Sequence, residues 1–308
     1  MRLTALNLIY EISLYDSRVV FIGSDLGAGT LKKMKSEVPE RFFMEGIAEQ
    51  YMVGFAAGLS KEGFMPFLNT IGTFLTRRAY EQIMIDVCLH NLPVRILGSG
   101  GGMVYAPLGP THTSVDDFSL MLNIPNMKVF APADANEMKT ILEFSLHDKS
   151  PYYIRIGKGG EKIVTNLSIK NPYNPKIFSQ PQSRVIICTT GVILQNALQA
   201  ADLLKSRSIA TTVIHFPALS EINLIELRDL FESSSLVVVA EEHIPRGGLF
   251  SQILESIHSN KISYMKLRNL ALPFSFIHKY GSQNEHFVEY GLDSDGICRY
   301  VIENLDST

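Results

Sequence analysis

Cysteine is scarce in this chain of 308 residues: Cys88, Cys188 and Cys298 are the only three, and they lie far apart. That number and spacing exclude a disulfide framework and supply no paired zinc-ligand pattern, so no metal site is expected from them. All three fall in apolar segments, which predicts buried free thiols. An excess of positive charge is also missing. The formal net charge is −3, which offers no general attraction to nucleic acid. No apolar run is long enough to span a bilayer, and Met1-Arg2-Leu3-Thr4 does not begin a signal peptide's apolar core. A soluble, cytoplasmic protein with no membrane partner is expected. Repeats and low-complexity tracts are absent, apart from a loosely similar alternation in the two halves. What is present is core-forming material. Hydrophobic residues make up 46% of the chain, enough at this length for two compact domains.

Short apolar runs alternate with helical patterns, as buried parallel strands alternate with helices in α/β domains. Runs at 19–22, 64–68, 94–97, 127–132 and 152–156 mark a first unit, placed at 1–160. Glycine, asparagine and proline accumulate at 161–182, including Asn171-Pro172 and Asn174-Pro175, which reads as a linker. A second alternation, with strands at 185–188, 211–215 and 236–239, fills a domain at 183–308. The expected fold class is α/β, with two parallel-sheet domains.

The stretch at 41–59 organises the first unit. Gly46 is a hinge that opens a helix, on which Gly54, Ala56, Ala57 and Gly58 allow another backbone to approach. Met52, Val53, Phe55 and Leu59 supply apolar bulk. Glu49 lies near the helix start, where a carboxylate either caps free amides or is a desolvated acid that holds or shares a proton near neutrality. Other positions are similarly open. Asp25, after the first strand, is a turn residue or a ligand contact, since functional loops of open α/β sheets follow strand ends. Phe74 is core packing or a platform. Arg77-Arg78 is a solvated pair, a partner for Glu81 or a surface facing another subunit. Gly98-Ser99-Gly100-Gly101-Gly102 needs unusual dihedrals or approaches a ligand closely, but its spacing is not a dinucleotide fingerprint. His112 is a surface histidine or a substrate contact, and Arg155 pairs on the surface or binds an anion.

Gly46-Ile47-Ala48-Glu49-Gln50, Gly109-Pro110-Thr111-His112 and Glu241-Glu242 followed by Gly247-Gly248 together resemble the transketolase family. The resemblance covers nearly the whole chain: a pyrimidine-binding domain and the small C-terminal domain of thiamine-diphosphate enzymes. It implies that Glu49 is the acid at a ring nitrogen of the cofactor's aminopyrimidine, that Phe74 stacks on that ring, and that Asp25 lies beside the cofactor. It further implies that His112 hydrogen-bonds the substrate or a developing oxyanion, and that Arg155 binds a substrate phosphate. The implied reaction is transfer of a two-carbon ketol unit between sugar or sugar-phosphate substrates.

Two positions depart from the transketolase pattern. Leu108 stands where that family has an aspartate reading a substrate hydroxyl, and Gly100 where it has a phosphate-contacting histidine. No Gly-Asp-Gly followed at suitable distance by asparagine occurs, yet that motif holds the magnesium ion and the diphosphate. The chain therefore resembles the C-terminal part of a transketolase made as a separate subunit. The expected partner is an N-terminal subunit with the missing motif, binding Mg2+, in a heterotetramer. Phe74 and the loop at 98–102 are expected at the subunit interface. Two alternatives stand beside this reading. A β subunit of a 2-oxo-acid dehydrogenase or decarboxylase is disfavoured by Gly-Pro-Thr-His, and a catalytically silent interaction subunit by Glu49.

Overall fold

The computed structural model describes residues 1–24, 29–166, 171–264 and 266–306. Asp25 lies outside the described residues. Six strands form the first sheet: β1 (Val19–Gly23), β2 (Phe42–Met44), β3 (Met65–Ile71), β4 (Arg95–Ser99), β5 (Lys128–Phe130) and β6 (Tyr152–Ile156). Their order is β2-β1-β3-β4-β6-β5, and every pairing is parallel. Strands β1, β4 and β6 are buried along their full length, which explains why they read as continuous apolar runs rather than alternating ones. Helices Arg2–Ser13 and Ala135–Ser145 pack on one side of the sheet. Glu49–Lys61 and the helical stretch 74–88 cover the other.

The second sheet holds β7 (Lys176–Phe178), β8 (Val185–Thr189), β9 (Thr211–His215), β10 (Leu236–Glu241) and β11 (Leu267–Ala271) in the order β11-β10-β8-β9-β7. All pairs are parallel except β7 on β9. The molecule thus has two α/β domains. Strand β7 falls inside the segment read as linker: asparagine and proline mark the approach to it, but its three residues are too few to show a period.

The domains are joined by packing as well as by chain. One apolar cluster runs from Ile22, Val53 and Leu75 of the first domain to Ile186, Ile214 and Val239 of the second. Backbone bonds Ala131 N–H to Pro217 O (2.8 Å) and Leu219 N–H to Val129 O (2.9 Å) stitch the sheets together. Beneath them Glu137 accepts from Ala133 N (2.7 Å), contacts His215 Nε2 (2.8 Å) and pairs with Lys176. All three cysteines are free and buried, and no helix of the described residues is long and apolar enough to cross a membrane.

Candidate active site

In the first sheet the chain moves from β1 outward to β2, then returns to the opposite side of β1 as β3. Loops leaving β1 and β3 therefore diverge, and a crevice opens at their carboxyl ends. Glu49 follows β2 and Phe74 follows β3, so both arrive at that end of the sheet. Gly46 takes φ +71° at the turn into the helix, a conformation suited to glycine. Glu49 is the first residue of Glu49–Lys61, yet its carboxylate makes no side-chain cap. It is 1% exposed, and its Oε2 accepts from Arg78 Nη1 at 2.6 Å.

Arg78 links the other candidates. Its Cζ lies 4.4 Å from the centre of the Phe74 ring, and the His112 ring meets Phe74 edge-on at 5.2 Å between centres. The contacts thus run in one chain from Glu49 through Arg78 and Phe74 to His112. Residues Phe74–Arg78 are wound with wide i→i+5 turns, a form often found at functional sites. His112 Nδ1 lies 2.9 Å from Thr111 Oγ1. Arg77 turns away from this cluster and pairs bidentately with Asp116, Nη2 to Oδ1 at 2.7 Å and Nε to Oδ2 at 3.0 Å. Neither arginine pairs with Glu81. A cleft of about 430 Å³ is lined by Arg77, Pro110, Thr113 and Asp116 and, from the second domain, Phe274 and Phe276, and by none of the four side chains of the cluster.

Arg155 does not pair on the surface: it is buried where the domains meet. Its Nε donates to Asp117 Oδ2 (2.8 Å), Nη1 to Glu242 O (2.9 Å), and Nη2 to Ser114 O (3.2 Å) and to Asp117 Oδ1. The guanidinium Cζ also lies over the Phe118 ring, 3.5 Å from its centre. Burial pushes the Asp117 carboxyl up, but the Arg155 charge and its hydrogen bonds prevail and hold it below the ordinary aspartate value. An arginine so committed has little left for a ligand.

Of the two readings of the glycine loop, the structure shows unusual dihedrals, at Gly100 and Gly102. Residues 98–102 are buried within this chain, and what approaches them is protein. A Cβ at Gly101 would meet Arg155 Cγ at 2.1 Å, one at Gly102 would meet Glu242 Cδ at 2.1 Å, and one at Gly100 would meet the Tyr105 ring at 2.0 Å. Gly100 (φ +74°) and Gly102 (φ +63°) also need the left-handed region. The space beside Gly100 is filled by the Tyr105 ring.

The Glu-Glu turn completes the junction. Glu241 accepts from Leu249 N (2.7 Å) and Phe250 N (3.3 Å) at the start of Leu249–Ser259. Glu242 accepts from Met103 N (2.7 Å) and Gln283 Nε2 (2.8 Å). Burial raises both carboxyls to about 7. Burial, with Arg155 nearby, lowers His243 to about 4; its ring stacks on Phe118 and its Nδ1 donates to Ile244 O (2.8 Å). Among the described residues, no group of three or more His, Cys, Asp or Glu side chains is placed to hold a metal ion.

Arg78 is the residue whose place sequence reasoning left open. Its spacing of four from Phe74 puts the two on one helix face, but nothing local announces the contact with Glu49, which is 29 residues away.

Family profiles match both domains: "Transketolase, pyrimidine binding domain" over residues 1–160 and "Transketolase, C-terminal domain" over 177–297. Among curated relatives, 1-deoxy-D-xylulose-5-phosphate synthase of Dictyoglomus turgidum is 34% identical over 94% of this chain, covering 46% of the relative. That of Clostridium perfringens is 35% identical over 94% of this chain and 47% of the relative. The chain thus spans about half the length of the curated relatives it matches. A solved split-gene transketolase, an inactive beta4 tetramer, superposes with a TM-score of 0.87 at 29% identity, covering 99% of this chain and 97% of that one. Transketolase of Campylobacter jejuni shares the fold, with a TM-score of 0.81 at 15% identity over 46% of its chain.

Proposed function

Because this chain belongs to the transketolase family, we propose that it is the pyrimidine-binding subunit of a split enzyme. That enzyme moves a two-carbon ketol unit between sugar or sugar-phosphate substrates, in the cytoplasm. Enzymes of this family use thiamine diphosphate. The observation that carries the reading is the cluster at the crevice: a carboxylate 1% exposed and an aromatic face linked through one guanidinium, with a histidine against the edge of that aromatic ring.

The residues present fit the cofactor's ring. Arg78 is planar, donates N–H to Glu49 and lies over the Phe74 ring; an aminopyrimidine is likewise flat, and with its ring nitrogen protonated it presents an in-plane N–H donor to the same carboxylate. Thiamine diphosphate, when bound, supplies the electron sink for breaking and making a carbon–carbon bond beside a carbonyl. Glu49 would hold a proton at a ring nitrogen, Phe74 would fix the ring's plane, and Asp25, after β1, would lie beside it. His112 would hydrogen-bond a substrate hydroxyl or a developing oxyanion. Magnesium and the diphosphate would fall to the partner subunit, since this sequence lacks Gly-Asp-Gly with its downstream asparagine.

Surface chemistry supports a partner. Ile47 and Tyr51, beside the candidate acid, are exposed, as are Ile85 in the helical stretch 74–88 and Leu89 just after it. Exposed apolar side chains around a site are a feature of interaction surfaces. The split-gene neighbour forms an inactive beta4 tetramer, and the active assembly proposed for this chain is a heterotetramer of two such chains with two partners. The curated relatives favour a second reading, formation of a deoxyketose phosphate, and a donor panel containing both ketoses and a 2-oxo acid separates the two.

Glu49→Gln is the direct test of the reading. Turnover by the assembled enzyme should fall by more than about 100-fold, the usual scale for removing an acid–base group, while thermal unfolding and assembly are retained. Wild-type turnover in that variant would remove Glu49 from the chemistry.

A further inference from the structure

The two groups assigned to the aminopyrimidine already share a partner inside the chain. Arg78 reaches Glu49 Oε2 at 2.6 Å and the centre of the Phe74 ring at 4.4 Å. A guanidinium is flat, carries N–H donors in its plane and presents a π-face, so one group makes both contacts that the cofactor's ring would make. The hold is weak by construction. The Arg78 side chain is 43% exposed against 1% for Glu49, and among the described residues its one hydrogen bond is to Glu49. A half-exposed ion pair and an exposed cation–π contact are each weak. Arg155, by contrast, is buried and donates to two backbone carbonyls besides its carboxylate. Arg78 also sits in the wide turn Phe74–Arg78, where backbone hydrogen bonding is already non-standard.

We infer that Arg78 is a surrogate for the cofactor's ring. It covers the Glu49 carboxylate and the Phe74 face in the free chain, and swings toward solvent when an aminopyrimidine enters. The inference rests on the roles given above to Glu49 and Phe74. It has a signed consequence. A ligand that must displace an internal occupant binds with an apparent Kd raised by the inverse of the open fraction, so removing the occupant tightens binding. Damage to the site would do the opposite.

The test is an NMR titration of thiamine diphosphate with Mg2+ into the purified full chain, a method suited to millimolar affinities. Arg78→Ala should bind about three- to tenfold more tightly than wild type, the scale of one or two weak contacts. Arg78→Lys keeps the charge without the flat face and should fall between them. Arg78→Gln takes the place of the alanine variant if that one fails to fold. Binding by Arg78→Ala where wild type shows none also supports the inference. Unchanged or weaker binding in Arg78→Ala, or no binding by either protein, overturns it. Glu49→Gln and Phe74→Ala serve as separate controls in the Arg78→Ala background. If neither weakens binding there, it is the assignment of the ring site that fails, whatever Arg78 does.

Discussion

Arg155 and Asp117 form the most consequential pair of side chains outside the candidate site. The guanidinium is 8% exposed and the carboxylate 0%, with Tyr153 Oη donating to the same carboxylate at 2.6 Å. A charge so deeply buried persists only while its partner stays. Arg155→Ala should therefore lower the folding stability by about 3–5 kcal/mol, the usual cost of leaving one buried charge uncompensated, read as a shift in the urea midpoint. A phosphate-binding arginine would behave differently, raising KM for anionic donors with stability unchanged. Sequence position alone suggested the second role. What it lacked was the sequence-distant aspartate, 38 residues earlier, that claims the side chain.

At the scale of elements, the loop at 98–102 and the turn at 241–248 work as one junction. The glycines of the loop were legible as a requirement for close approach. The identity of the approaching groups was not, because Arg155 and Glu242 come from a different strand and a different domain. Glu242 makes this junction sensitive to pH. Its folded carboxyl titrates at about 7, whereas an unfolded glutamate titrates near 4.3. Between those values the folded protein keeps a proton that the unfolded chain has released, so this residue's contribution falls as pH rises. Glu241, also at about 7, acts in the same direction. His243, at about 4, acts oppositely up to about pH 6.5. Glu242→Gln keeps an acceptor for Met103 N and Gln283 and removes the titration. Its stability relative to wild type should be near zero at pH 5 and rise by on the order of 1–3 kcal/mol at pH 8. Thermal unfolding at both values reads this, and a difference independent of pH would refute it.

At the scale of the whole molecule, the two α/β domains were legible because buried parallel strands are continuous apolar runs flanked by glycine and proline. Strands β1, β4 and β6 announced themselves in that way, as did β8 and β10 of the second sheet. The short strand β7 did not, since its register is set by β9 rather than by its own pattern. The strand order explains why Glu49 and Phe74 reach the same end of the sheet. The account as a whole holds that this chain forms half of a cofactor site: the ring's acid and platform are here, and the diphosphate's metal motif is not. The most direct measurement is calorimetric titration of thiamine diphosphate with Mg2+, first into the purified chain and then into the chain with a partner carrying Gly-Asp-Gly and its downstream asparagine. The account predicts no micromolar binding and no ketol transfer by the chain alone, with both appearing once the partner is added. Micromolar binding and turnover by the chain alone would contradict it.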